Sequence, residues 1–295
     1  MPTLETTIEA FLASREFDQA TVSRCAFWSE QFGHKQLAEI TDDDVDAALV
    51  RLAERGRLKP RRGKEKAKAG KPLSGASINR YITQLGSLYK YAKRLRLLPR
   101  SFVAPTMGIE KYPEKADPER YLRTEQVERL IKVARLLDTK WGKLEALILF
   151  AYHTGLRVGN LMEITWRDVD LEAKTVRVTC TKNGDPIISP LSSRLVKALD
   201  KLTGKDLDNL VFAGKFGQPY SWRRIWNKVC KEAGLEGRNF HQLRHGCGHA
   251  LASSGANQAQ IMAVMGHKTL TASARYMHAN VDDKRAVIAR VFDHG

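Results

Sequence analysis

Four segments in the second half of this 295-residue chain carry residue types suited to moving a phosphoryl group. Thr154-Gly155-Leu156-Arg157 places an arginine just beyond a glycine. Thr181-Lys182-Asn183-Gly184 places a lysine beside a tight-turn dipeptide. His241-Gln242-Leu243-Arg244-His245 spaces two histidines around an arginine. Met265-Gly266-His267 is followed shortly by Arg275-Tyr276-Met277-His278. Phosphodiester transfer without a metal requires a nucleophile, an acid to protonate the leaving 5′ oxygen, and fixed donors for the charge on the non-bridging oxygens. Arginine suits the last task, because its planar fork is always protonated and can grip two phosphate oxygens. A lysine or a histidine can supply the acid. A tyrosine can form a covalent phosphotyrosyl link, which stores the bond energy and allows rejoining without ATP.

Taken singly, each of these residues has an ordinary explanation. An arginine after a helix is usually a surface residue, a lysine before Asn-Gly a solvated hairpin tip, and a tyrosine a packed aromatic. His241, His245 and His249 recur every four residues and can share one helix face. No glutamate stands among them in a zinc-binding spacing, and no cysteine pair completes a site, so no metal is expected.

The elements that must position these residues fall into two parts. Four prolines between Pro99 and Pro118 interrupt a stretch with no helical period, which marks a boundary between a domain over residues 1–112 and another over 118–295. Apolar residues at helical spacing predict helices over 4–13 and 20–32. Thr41 followed by Asp42, Asp43 and Asp44 predicts a capped helix to about residue 54. Residues 56–71 read as an exposed Lys/Arg/Gly loop, either a solvated linker or a phosphate-contacting arm. Ser74 to Leu98 reads as one long amphipathic helix. Arg80, Gln84, Ser87, Lys90 and Arg94 lie off its apolar stripe and are the candidate DNA contacts. In the second part, a helix capped by Thr124 and an apolar helix over 141–153 precede a strand over 175–181. The Asn183-Gly184 turn and a return strand follow, with helix caps at Ser192 and Ser221. The expected architecture is mainly α, with a small antiparallel sheet in the second domain.

Charge points to the partner. The formal net charge is +16, and it is unevenly spread: residues 1–54 carry −7, whereas residues 55–117 carry +13. A reversal that abrupt implies a localised basic surface, and a polyanion is its natural partner. No apolar run is long enough to span a bilayer, and the start has no secretory pattern. Four scattered cysteines suit a reduced cytoplasmic setting better than a disulfide framework.

Together the ordered segments resemble the tyrosine recombinase (phage integrase) family, over about residues 119–279. The resemblance implies a helical, SAM-like core-binding domain followed by an integrase-like α+β catalytic domain. It implies that Arg157, His241, Arg244 and His267 bind and activate the scissile phosphate, that Lys182 is the general acid and that Tyr276 is the nucleophile. By the same resemblance Arg157 and Arg244 clamp the non-bridging oxygens, His241 assists proton transfer with Tyr276, and His245 and His249 support the helix. Asn160 departs from the family, which commonly has an acidic residue there; that bears on tuning rather than on the chemistry.

The resemblance further implies site-specific strand exchange on double-stranded DNA through a Holliday junction. The protein would act as a homotetramer whose terminal helix, residues 282–292, packs into a neighbour, with an accessory DNA-bending or excision factor as a further partner. With helical pattern starting at Leu4, a compact Xer-like or mobile-element integrase without an arm-binding domain is expected, needing no cofactor. The alternatives are a topoisomerase-IB-like relaxing enzyme, a non-catalytic DNA-binding regulator on the same scaffold, and a metal-dependent nuclease.

Overall fold

The computed structural model describes residues 2–56, 72–114, 121–179, 186–266, 269–274, 276 and 289. The chain divides into two compact units, the first ending at Asp117 and the second beginning at Pro118.

Among the described residues the first unit holds four α-helices: α1 (Leu4–Ala13), α2 (Gln19–Phe32), α3 (Asp42–Arg55) and α4 (Gly75–Arg94). Each begins at a residue whose side chain accepts a backbone N–H: Thr3, Asp18, Thr41 and Ser74. Thr41 and Asp44 cap each other reciprocally, which satisfies two donors that a helix start leaves orphaned. The amphipathic α4 contacts the other three helices. Its Ile78, Ile82, Leu85, Leu88 and Tyr89 join Trp28, Phe32, Leu49 and Leu52 in one core. Burying each such aliphatic side chain contributes about 1.5–3 kcal/mol. Two polar tips inside this core are satisfied by carbonyls, Trp28 Nε1 at Tyr81 (3.0 Å) and Tyr89 Oη at Leu37 (2.9 Å). The helix stops at Arg94, short of the expected Leu98, because Arg96 takes a left-handed conformation (φ 61°).

The second unit contains α5 (Thr124–Leu137), α6 (Leu144–Thr154) and α7 (Val158–Glu163), then a three-stranded antiparallel sheet. Its strands β1 (Val169–Asp170), β2 (Thr175–Val178) and β3 (Ile187–Pro190) lie in that order, with Val176 opposite Ser189 and Val178 opposite Ile187. Five further helices follow: α8 (Ser193–Asp200), α9 (Trp222–Glu232), α10 (His241–Ser253), α11 (Gln258–Met265) and α12 (Leu270–Ala274). Among the described residues the fold is thus mainly helical with one small sheet, as the sequence implies. The central element is α6, whose Leu144 and Ala146 through Ala151 are all buried. It starts three residues later than its apolar pattern suggests. Gly142 has φ 60°, and the Asp138 carboxylate caps the true start by accepting from Lys143 N (2.8 Å) and Leu144 N (2.9 Å). Tyr220 Oη donates to the same oxygen, which tethers α6 to the segment before α9.

Three further boundaries differ in detail. Thr124 lies inside α5, not at its cap: Arg123 is the cap and its N–H is taken by the Gln126 side chain, while Thr124 Oγ1 sits 2.9 Å from Tyr152 Oη. Ser221 caps α9 by position without a side-chain bond, whereas Ser192 caps α8 with one. The Asn183-Gly184 turn and the terminal helix expected over residues 282–292 lie outside the described residues, except residue 289.

Candidate active site

The site is assembled around α10. The tightly buried α6 ends at Gly155, whose left-handed backbone (φ 63°) turns the chain sharply. A side chain there would be strained, and a Cβ would sit 3.1 Å from Met265 Cγ and 3.3 Å from Cys247 Sγ. Thr154 Oγ1 braces the turn by bonding Phe150 O and accepting Leu156 N. Leu156 plugs into the core, so the next residue, Arg157, emerges exposed as the cap of α7. Asn160 follows at the third position of α7 and is half-buried.

Arg244 reaches this turn from α10. Its side chain is 5% exposed, and its Nη1 donates to the Gly155 carbonyl across 89 positions of sequence. That bond sets the second arginine against the loop carrying the first. Cys247 packs under the same turn. Burial pushes its thiol up to about 12, with the charge of Arg244 opposing the shift in part. Cys25 and Cys230 are also buried, with thiols raised by burial to about 11 and about 12. All three behave as packing residues and not as thiolates.

Tyr276 is also brought onto α10. Its ring covers Gly248, where a Cβ would fall 2.7 Å from both Cε2 and Cζ and 2.9 Å from Met265 Sδ. Its backbone N–H donates to Ser273 O, and Ser273 is fully buried and held with Leu270 by Gln258 Nε2. The phenolic oxygen lies 2.9 Å from His245 Nδ1. His241, exposed at the first position of α10, meets the His245 ring edge to face at 4.9 Å.

These contacts place the three spaced histidines. His245, expected to support the helix, has its Nδ1 at the Tyr276 hydroxyl, and His241, expected to assist proton transfer with Tyr276, meets the His245 ring. His249 stacks on Tyr121 (3.9 Å, 13°). The signal for His245 was its position four residues after His241, but nothing local to α10 announces a tyrosine arriving from 31 residues away. Lys182 and His267 lie outside the described residues. Gly266, just before His267, is left-handed (φ 62°) and presses on β3, where a Cβ would fall 2.5 Å from Ile187 Cδ1.

In the first unit, Arg80, Lys90 and Arg94 are exposed along one face of α4 and Ser87 is half-exposed, its hydroxyl bonded back to Thr83 O. Gln84 corrects the expectation: it is 8% exposed, because it is rotated about 40° from Arg80 toward the apolar stripe, at about 100° per residue. Ser87, Lys90 and Arg94 line a concavity of about 380 Å³ together with Arg15, just past the cap of α1, a cation that no helical pattern in the sequence singles out.

Comparison with known proteins bears on this arrangement. A family profile described as the phage integrase family matches residues 120–283, more than half of the chain. The type 1 fimbriae regulatory protein FimE of Escherichia coli strain K12 is 27% identical over 173 residues, 55% of this chain and 86% of that protein. The tyrosine recombinase XerD of Staphylococcus haemolyticus is 29% identical over 222 residues, 70% of this chain and 73% of its own. The fold is shared with the Tn1549 transposon integrase in complex with transposon right end DNA. That likeness has a TM-score of 0.73 at 18% identity and covers 98% of this chain and 99% of the other. A lambda integrase dimer bound to a core site has the same fold, with a TM-score of 0.68 at 20% identity over 93% and 95% of the two chains. The chain belongs to the phage integrase family of tyrosine recombinases.

Proposed function

We propose that this tyrosine recombinase cleaves and rejoins double-stranded DNA at a specific site, with Tyr276 as the nucleophile and a 3′-phosphotyrosyl intermediate. The observation that carries the reading is the convergence on α10, where Arg244 is fastened to the turn that presents Arg157 and Tyr276 lies across Gly248 of the same helix. In the step proposed, Tyr276 Oη attacks phosphorus and the bond from phosphorus to the 5′ oxygen breaks. Arg157 and Arg244 clamp the non-bridging oxygens as charge builds on them. Lys182 protonates the departing 5′ oxygen, and His241 and His267 bind the phosphate. Attack by another strand's 5′ hydroxyl reverses the sequence and rejoins the DNA without ATP. Because fixed cations and the protein's own acid carry the charge and the proton, the reaction needs no metal.

Arg80, Ser87, Lys90 and Arg94 on α4 hold the duplex from the first unit. A protein of the same fold, lambda integrase, has been captured as a tetramer bound to a Holliday junction. We assign the same route to this chain, as a homotetramer joined through its C-terminal segment, acting on DNA in the cytoplasm with an accessory DNA-bending or excision factor. The experiment is to incubate the protein in EDTA with fragmented host and element DNA and to look for a denaturation-resistant protein–DNA adduct. Wild type should form one with reproducible ends, and Tyr276→Phe should form none; an adduct of equal yield in Tyr276→Phe would refute the assignment.

A further inference from the structure

We propose that His245 takes the phenolic proton of Tyr276 during strand cleavage and returns it during rejoining. The inference rests on Tyr276 being the nucleophile.

The geometry is specific. Tyr276 Oη and His245 Nδ1 are 2.9 Å apart, a hydrogen-bond distance that needs no rearrangement before transfer. The position of the phenol is set twice over. From below, the missing side chain of Gly248 lets the ring settle against α10, and Met265 closes the same spot. From behind, the Tyr276 N–H is tied to Ser273, which is itself tied through Gln258 to the start of α11. His245 follows Arg244 directly on α10, so proton acceptor and phosphate clamp are carried by one rigid element. His241 stands one turn away, edge-on to His245 at 4.9 Å and exposed, where a bound phosphate can reach it.

The chemistry explains why such a partner matters. Phenols titrate near 10 and imidazoles near 6.5, so an unassisted phenol at neutral pH is ionised only to about one part in a thousand. An imidazole in contact removes that handicap. With its proton on Nε2, His245 accepts from Oη–H at Nδ1. As the bond from Oη to phosphorus forms and the bond to the 5′ oxygen breaks, the proton passes to Nδ1 and the imidazolium is left. The leaving oxygen receives a separate proton from the acid. On rejoining, the incoming 5′ hydroxyl gives its proton back to the acid that had protonated the leaving oxygen, its oxygen bonds phosphorus as the bond to Oη breaks, and His245 reprotonates the phenolate.

The test uses the full protein and a nicked duplex bearing the sequence recovered at the ends of the covalent adduct. His245→Ala should form adduct at least about 100-fold more slowly than wild type, in the range general-base removal produces, with DNA affinity unchanged. Added imidazoles should restore cleavage, and the restored rate should rise with their basicity. Wild-type rates in His245→Ala, or a rescue indifferent to basicity, would overturn the proposal. Should His245→Ala fold poorly, His245→Asn keeps a polar atom near the Nδ1 position yet cannot take a proton; it should bind DNA and cleave slowly, and normal cleavage would again overturn it. The two readings fail differently. Adduct formation by Tyr276→Phe removes the nucleophile assignment, whereas loss of adduct in Tyr276→Phe with normal cleavage in His245→Ala removes only the role of His245.

Discussion

Helices α4 and α10 both present cations to the proposed DNA, yet they hold them in opposite ways. On α4, Arg80, Lys90 and Arg94 stand in solvent on the back of a helix whose other face is apolar. On α10, Arg244 is buried, two glycines replace bulky residues, and its neighbours close in from distant parts of the chain. Solvated charges cost little to keep and tolerate imprecise placement, which suits gripping a phosphate backbone. A buried guanidinium is kept only with defined partners, which suits a charge that must meet a transition state.

The contrast is most sharply broken at Arg244. Arg244→Ala should cut single-turnover cleavage by about 100- to 1,000-fold, the scale of losing one positioned donor to developing charge. It should also destabilise the second unit by about 1–3 kcal/mol, since the Gly155 carbonyl loses its donor. Denaturant titration and adduct kinetics measure the two effects separately, and a loss of DNA affinity alone would place Arg244 with the α4 cations. Gly248→Ala comes next. Its Cβ would fall 2.7 Å from the Tyr276 ring, so the phenol must shift, and an ångström of misplacement costs about 100-fold in rate. Cleavage should fall while DNA binding, read by fluorescence anisotropy, stays put.

On the other helix the effects should be smaller and of another kind. Arg94→Ala should weaken DNA binding about equally across sequences and lower the slope of log affinity against log salt by about 1, leaving cleavage at saturating DNA intact. Gln84→Leu should do least. Its buried Nε2 has no hydrogen-bond partner among the described residues, so an apolar replacement should be neutral or slightly stabilising in thermal denaturation, with DNA binding unchanged. A clear loss of affinity would return Gln84 to the groove-facing set.

The same contrast decides what could be read in advance. The helices of the first unit announce themselves through their apolar period, and α3 also through its cap, because Thr41 acts on a neighbour only three residues away. Gln84 escaped because a helical period locates the centre of an apolar stripe but not how far burial spreads along its edge. The start of α6 escaped because it is set by Asp138 together with Tyr220, 82 positions on. In the second unit the residue types of the site were legible as an ordered set, while the pairing within it was not. Arg244 with Gly155, and His245 with Tyr276, are contacts between segments that no local pattern joins.

In the proposed phosphate clamp, fastening Arg244 to Gly155 also divides the entropy of DNA binding unequally between the two arginines. An arginine side chain carries about 2 kcal/mol of rotamer freedom. Arg244 surrenders most of this when the protein folds, whereas the exposed Arg157 retains it until a phosphate arrives. The clamp therefore has one arm already rigid and one that stiffens on contact. Its docking onto a phosphate carries the ordering cost of a single side chain, which leaves more of the contact energy for the reaction itself.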